Sequence, residues 1–199
     1  MPFTAEILVA YLICFALVHS LLSSLGFKTL ARGRLGTGID RWYTKAFGMI
    51  ALITIVPLAL MLITSPGRLL YLAPLPVMLA MFCAQAVSAV GSVRAFTDAP
   101  HRFSIKAQLD QESRQPLAIR GIYCWVRDPF LLSGLTTIWL TPFMTSNLLL
   151  IYALISLYLF LGSLHWERRL QAQFGDEYRA YRSQVPRCIP YKGRCYPDR

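Results

Sequence analysis

The fold is decided by residues 129–166, PFLLSGLTTIWLTPFMTSNLLLIYALISLYLFLGSLHW, which contain no Asp, Glu, Lys or Arg. A helix of roughly 20 residues crosses the hydrocarbon core of a bilayer, so this stretch is long enough for two short crossings. The polar run TPFMTSN, at residues 141–147, lies near its middle. We therefore predict two short transmembrane helices joined as a tight hairpin.

Three further uncharged stretches each have the length of one crossing. Pro74 and Pro76 should delay the start of the third helix to about Leu75. With the hairpin, the pattern predicts five transmembrane helices, at residues 7–27, 46–65, 75–93, 129–143 and 147–166. The predicted fold class is an all-α integral membrane protein, with residues 1–199 forming a single membrane domain that ends in a cytoplasmic, helical C-terminal tail.

The distribution of basic residues gives an independent reason for this count. Every Lys and Arg except Arg68 lies in one of three segments, 28–45, 94–127 and 168–199. A chain with five crossings puts these segments on the same side, and basic residues concentrate in cytoplasmic loops. We predict that the N-terminus lies outside and the C-terminus in the cytoplasm.

Composition excludes several classes of protein. The chain is 55% hydrophobic and 15% charged, whereas soluble domains are about a quarter charged and disordered chains are poor in apolar residues. The net charge of +10 comes from residues that flank apolar stretches, so we expect contact with membrane lipids and no binding to nucleic acid. The five cysteines include no C-x-x-C pair, and we expect no metal site.

Two charged segments, residues 94–128 and 165–199, remain where chemistry could reside. The predicted hairpin returns the chain to the same face and so places Arg127 and Asp128 at the same depth as Glu167. Ionisable groups near lipid need a partner or a ligand. A binding site is one interpretation of this arrangement, and a purely structural ion pair at the membrane interface is the other.

The motifs in these segments favour the first interpretation. Gly121, Tyr123 and the run Arg127-Asp128-Pro129 precede the hairpin, and the motif Trp166-Glu167-Arg168-Arg169-Leu170 follows it. Next come Phe174-Gly175-x-x-Tyr178-x-x-Tyr181 and Val185-Pro186-x-x-Ile189-Pro190. In order and spacing this chain resembles the isoprenylcysteine carboxyl methyltransferase family, which includes phospholipid and methanethiol methyltransferases.

The resemblance implies a membrane enzyme that uses S-adenosylmethionine on the cytoplasmic side and methylates a lipophilic or small thiol, carboxyl or amine acceptor. It places the cofactor-binding region at residues 115–130 and 163–190, with Arg127 on the donor carboxylate and Glu167 on its ammonium. The candidate catalytic residues are Arg127, Asp128 and Glu167. The candidate cofactor-binding residues are Arg120, Gly121, Tyr123, Trp125, Arg127, Pro129, Glu167, Tyr178 and Tyr181.

The chain also departs from the family pattern. Asp128 replaces the His of the Arg-His-Pro motif, and Trp166 replaces the first acid of the paired acids. Leu131 and Cys124 stand where the family has Tyr and, frequently, Arg. Two alternatives therefore remain: a non-catalytic five-span homologue, and an NADPH-dependent reductase resembling the sterol reductases.

Overall fold

A computed structural model describes residues 3–109, 116–117 and 119–191. Residues 115 and 118 of the predicted cofactor-binding region and residues 192–199 of the predicted tail lie outside the described residues. The described part is mostly helical and contains two short strands, β1 (Leu69–Leu72) and β2 (Phe143–Thr145). Its α-helices are α1 (Ala5–Ser23), α2 (Leu25–Leu35), α3 (Tyr43–Thr64), α4 (Leu75–Asp98), α5 (Ile105–Leu109), α6 (Pro129–Trp139) and α7 (Ser146–Gln184).

Four of the helices found in the described residues, α1, α3, α4 and α7, are long and apolar enough to cross a membrane. Their apolar side chains are largely exposed; Ile63 on α3 and Val87 on α4 are each 73% exposed. Helices that expose such surfaces need lipid around them. The molecule is therefore a helical integral membrane protein.

The ends of the first helices follow from local sequence. α1 ends at Ser23, before the predicted end at residue 27, because Ser24 is the N-cap of a second helix. The hydroxyl of Ser24 accepts a hydrogen bond from the Phe27 N–H at 3.2 Å, as an N-cap does. α4 begins at Leu75, the position that the two prolines indicate.

α6 is shorter than the predicted fourth crossing. Pro129 is its first residue, Asp128 is its N-cap, and the helix ends at Trp139 where residue 143 was expected. Its 11 residues span about 16 Å, which is less than the roughly 30 Å hydrocarbon core of a bilayer. β2 follows and pairs with β1, so part of the connection to α7 is extended rather than helical.

α7 continues well beyond the predicted end of the fifth crossing at residue 166. Its 39 residues include the beginning of the predicted tail, and the helix is interrupted at Gly175, where φ is 54° and ψ is −120°. The charged motif around Glu167 therefore lies on a helix, continuous with the apolar segment that precedes it.

The chain forms two compact units, of residues 1–69, 101–115 and 145–151 and of residues 70–100, 116–144 and 152–199. In the first unit α1 packs against α3, and Ile39, Tyr43 and Ile105 form a buried cluster. In the second unit α4 packs against α6, with the Ser133 hydroxyl donating to the Ser88 carbonyl at 3.1 Å. The candidate site residues all belong to the second unit.

Candidate functional site

Glu167 is the centre of the predicted site. It lies on α7 with 8% of its surface exposed. Its carboxylate forms ion pairs with Arg127 through one oxygen and with Arg187 through the other. A third guanidinium group, that of Arg182, has its Nε 3.7 Å from Glu167 Oε1 but is half exposed. Because solvent screens an exposed pair, we regard Arg127 and Arg187 as the principal partners.

The backbone holds the two arginines in place. The N–H groups of Arg127 and Asp128 donate to the carbonyls of Pro186 and Arg187, each at 2.9 Å. The Nε of Arg127 also donates to the Val185 carbonyl at 2.7 Å. The segment before α6 is thus joined to the segment after α7, and both meet Glu167.

This cluster carries more positive than negative charge. Two guanidinium groups contact one carboxylate, and both contacts are at least partly buried. Burial lowers the pKa of the Arg127 guanidinium; Tyr178 opposes this effect, and repulsion from Arg187 and Arg182 adds to it. Arginine nevertheless stays protonated at neutral pH. The arrangement can therefore accept an additional anionic group.

Two predicted tyrosines lie in the buried core beside Glu167. The Tyr178 hydroxyl donates to Glu167 Oε1 at 3.4 Å, a long hydrogen bond. Tyr181 donates to the backbone carbonyl of Tyr123 at 2.6 Å, and its ring meets that of Tyr178 edge to face at 5.9 Å. Tyr178 is therefore next to the ion pairs, whereas the Tyr181 hydroxyl ties α7 to the segment before α6.

Tyr123 and Asp128 have clear structural contacts. The Tyr123 hydroxyl donates to the Ala95 carbonyl at 3.1 Å, and the residue is almost fully buried. Asp128 Oδ1 accepts the Leu131 N–H at 2.9 Å and so caps α6. Asp128 thereby fixes the start of the helix that follows Arg127.

Arg120 and Gly121 contact Asp98 at the end of α4. Arg120 Nε donates to the Asp98 carbonyl at 2.7 Å, and the Asp98 carboxylate accepts the Ile122 N–H at 3.0 Å. Gly121 has φ of 58°, and a Cβ there would overlap the Asp98 carboxylate. These two residues shape the turn that leads to Tyr123.

The remaining predicted residues are Trp125 and Pro129. Trp125 is 46% exposed, and Pro129 is buried at the first position of α6. The structure thus brings Arg127, Glu167 and Tyr178 into direct contact, while Arg120 and Gly121 contact Asp98. An ion pair with a purely structural role would have the same geometry. A role in donor binding therefore stays a prediction for all of these residues.

Sequence reasoning missed Arg187. Its guanidinium group pairs with Glu167 and lies over the Phe160 ring, 5.6 Å from the ring centroid. The signal was its place in the Val185-Pro186-x-x-Ile189-Pro190 motif, at a position without a fixed residue type. Within the part of the chain that the structure describes, no group of three or more His, Cys, Asp or Glu residues could hold a metal ion.

Comparison with curated proteins shows similarity to methanethiol S-methyltransferases. The chain is 39% identical over 71 residues to methanethiol S-methyltransferase 1 of Bradyrhizobium diazoefficiens, covering 36% of this chain and 25% of that protein. The chain is methyltransferase-like over this match. It is also 37% identical over 73 residues to the methanethiol S-methyltransferase of Mycobacterium tuberculosis, covering 37% and 30% of the two chains.

A third relative, the methanethiol S-methyltransferase of Crocosphaera subtropica, is 30% identical over 87 residues, covering 43% of this chain and 34% of that protein. The chain spans only about a quarter to a third of the length of these relatives. Their names confirm the resemblance to methyltransferases that the motifs carried. No protein-family model matches the chain, and no solved structure matches it.

Proposed function

We propose that this protein is a membrane methyltransferase that uses S-adenosylmethionine and acts on a small thiol or a lipophilic acceptor at the cytoplasmic face. The observation that carries the proposal is the buried Glu167 carboxylate held between Arg127 and Arg187. The relatives' names support the reaction class and make methanethiol the first acceptor to test.

The residues fit the chemistry of the donor. S-adenosylmethionine carries a carboxylate, an ammonium, a sulfonium and an adenine ring, so its site needs a base, an acid and aromatic faces. Arg127 and Arg187 supply two cationic groups for the carboxylate, and Glu167 supplies the acid for the ammonium. The half-exposed Trp125 supplies aromatic surface, and the buried Tyr178 lies beside Glu167.

Donor binding requires an exchange of partners within the cluster. Glu167 is already paired with both arginines, so a guanidinium group must turn to the donor carboxylate when Glu167 takes the ammonium. Each buried charge keeps an opposite partner throughout this exchange. That matters because a buried charge left without a partner costs several kcal/mol.

When bound, S-adenosylmethionine supplies an activated methyl group on its positively charged sulfur. Arg127, Glu167 and Arg187 would hold the donor in one orientation, and the rate gain comes from presenting it in line with the acceptor. The arginines stay protonated and take no proton. A thiol acceptor therefore reacts as the thiolate, after losing its proton to water.

The finer topology belongs to the same proposal. We infer five crossings, with the N-terminus outside and the C-terminus in the cytoplasm. The hairpin consists of α6, extended by the residues up to Thr145 because α6 alone is too short to cross, and the start of α7. The placement of 19 of the 20 basic residues, all but Arg68, supports this orientation. A topology reporter inserted near Gly67 should lie outside and one fused to the C-terminus should stay cytoplasmic; the opposite result would reverse the orientation.

The decisive test is direct binding. Protein purified in detergent should release or absorb heat on titration with S-adenosylhomocysteine, the product of the donor. Absence of binding by calorimetry and by thermal shift would remove the proposal and favour a non-catalytic homologue. A response to NADPH in place of S-adenosylhomocysteine would favour a reductase.

Variants then test the roles of the cluster. Glu167→Gln and Arg127→Ala should each weaken binding of the donor product by about 1.5 to 3 kcal/mol, the range for hydrogen bonds to charged groups. Asp176→Asn and Arg179→Ala are matched controls, because these two residues form an exposed ion pair on α7. If both cluster variants remain folded and bind the donor product with unchanged affinity, the ion pair between Arg127 and Glu167 is only structural.

Product formation identifies the acceptor. Incubation with methyl-labelled S-adenosylmethionine and methanethiol should yield labelled dimethyl sulfide. If methanethiol gives no product while a membrane lipid extract does, the acceptor is lipophilic and the reaction class still holds.

A further inference from the structure

An apolar cavity of about 220 Å³ lies in the first unit, far along the chain from the Glu167 cluster. It is formed by the end of α1, by α2, by the turn Thr37–Arg41 and by the start of α3. Residues that line it include Leu22, Phe27, Leu35, Ile39, Trp42 and Phe47. An apolar cavity of this size can bind a hydrocarbon. This one is partly open to the surface, so a hydrocarbon chain can enter it from outside.

The rim of the cavity is exposed and apolar. Leu35, Trp42 and Ile50 are lining residues with about half of their surface exposed. α1 and α3, which both contribute lining residues, are long and apolar enough to cross a membrane. A Trp at such a position is typical of the boundary between hydrocarbon and headgroups. The exposed part of the lining is therefore apolar and can contact lipid.

The stretch of chain that lines the cavity also carries exposed basic residues. Arg34, Arg41 and Lys45 have exposed side chains and lie beside the lining residues Leu35, Trp42 and Ala46 in sequence. Arg32 differs, because it pairs with Asp40 at 2.9 Å. The segment that lines the cavity therefore also carries exposed basic residues, next to lining residues in sequence, that can receive an anion.

We propose that this cavity holds an acyl chain of an anionic phospholipid whose phosphate lies against Arg34, Arg41 and Lys45. The exposed basic residues beside the lining in sequence favour an anionic lipid over an uncharged hydrocarbon. One turn of a partner helix, about 10 Å across and about 5.4 Å long, occupies roughly 400 Å³, which is more than the cavity offers. The proposal does not depend on the methyltransferase activity.

The test uses phospholipids with brominated acyl chains, because bromine quenches the fluorescence of a Trp that it contacts. The protein is placed in phosphatidylcholine nanodiscs with a minor fraction of brominated lipid, and the Trp42 signal is taken as the difference from a Trp42→Phe variant. Brominated phosphatidylglycerol should quench this signal at a fraction at least about fivefold lower than brominated phosphatidylcholine, since each basic residue near an anionic lipid contributes about that factor.

Matched variants separate the cavity from the cations. Ala31→Phe fills the cavity and should reduce quenching by both lipids, whereas Ala10→Phe adds the same ring to an exposed position on α1 and should not. Arg34→Gln with Arg41→Gln should weaken the preference for phosphatidylglycerol, because only Lys45 of the three cations remains, whereas Arg68→Gln, also exposed, should keep it in full.

Two results would overturn the proposal. Equal quenching by the two lipids in the unmodified protein would mean that Trp42 meets only the bulk lipid around the molecule. Quenching in Ala31→Phe equal to that in Ala10→Phe would mean that no chain enters the cavity. If Ala31→Phe does not fold, the paired arginine variant still decides, because an unchanged lipid preference there contradicts the proposed headgroup contact.

Discussion

Glu167 holds a negative charge in a buried position against two arginine side chains. Removing water from three charged groups is costly, and their mutual attraction offsets that cost only while all of them are present. The three charged groups therefore stabilise the protein only together. We expect replacing one of them to lower the free energy of unfolding more than replacing an oppositely charged pair.

Replacing Glu167 by Gln should lower the free energy of unfolding by about 3 to 5 kcal/mol, because Arg127 and Arg187 would repel each other without a buried anion. Adding Arg187→Gln removes one of the two cations, so the double variant should be more stable than Glu167→Gln alone. Unfolding in detergent, followed by circular dichroism, measures both. A double variant whose loss equals the sum of the two single losses would show that the groups are not coupled.

Cys188 gives a readout of the same charges. Burial raises the pKa of its thiol, Asp128 raises it further, and Arg187 and Arg127 act in the opposite direction. The thiolate is the reactive form, so at a given pH Cys188 should be alkylated more slowly than a thiol in a short peptide. Its pH profile, obtained as the difference from Cys188→Ser, should lie at higher pH, and Asp128→Asn should move it back toward lower pH. If Cys188 reacted with the same pH profile as the peptide thiol, or with a profile at lower pH, the raised pKa of Cys188 would be contradicted.

At the scale of elements, Gly175 determines where α7 changes direction. Its φ of 54° and ψ of −120° interrupt the helix between Glu167 and the two tyrosines, Tyr178 and Tyr181. A residue with a Cβ rarely adopts this conformation. The interruption therefore decides how the tyrosines return to the core beside Glu167.

Gly175→Ala should destabilise the protein by about 1 to 3 kcal/mol, the usual cost of holding a non-glycine residue in a strained conformation. No atom lies within 4 Å of the added Cβ, so the effect should come from the backbone alone. Gly162→Ala is the matched control: it also lies on α7 with open space around it, but in helical conformation, and should be neutral or stabilising by about 0.5 to 1 kcal/mol. Thermal unfolding in detergent compares them, and equal effects would refute the role of the kink.

The other element of note is α6, whose beginning is coupled to the site. Asp128 caps it, Pro129 starts it, and Arg127 immediately precedes it. The short helix thus sets the position of one partner of Glu167. The polar run at residues 141–147 indicated a break after α6, but it did not indicate that the helix ends at Trp139 or that β2 pairs with β1.

At the scale of the whole molecule, exposed apolar helix surface is the dominant feature. α1, α3, α4 and α7 present side chains such as Ile63 and Val87 that a water-soluble protein would bury. Expressed in cells, the protein should remain in the membrane pellet after washing with alkaline carbonate and should enter solution only with detergent. Release by carbonate alone would contradict the assignment as an integral membrane protein.

Sequence by itself determined the membrane class, because uninterrupted apolar stretches have no other stable environment. It also determined where helices begin when a proline or a capping side chain marks the position, as at Leu75 and Pro129. The proximity of Arg127 and Glu167 could be predicted from the order of the motifs, because one precedes the hairpin, the other follows it, and the connection between α6 and α7 is short.

Only the tertiary structure decided that the buried Glu167 has two arginine partners. Arg187 lies 20 residues further along the chain, and a kink at Gly175 and two backbone hydrogen bonds to Arg127 and Asp128 bring it back. Hydropathy reports which residues avoid water, which is a local property. Which charges meet inside the protein depends on how distant segments pack, and no local pattern carries that information.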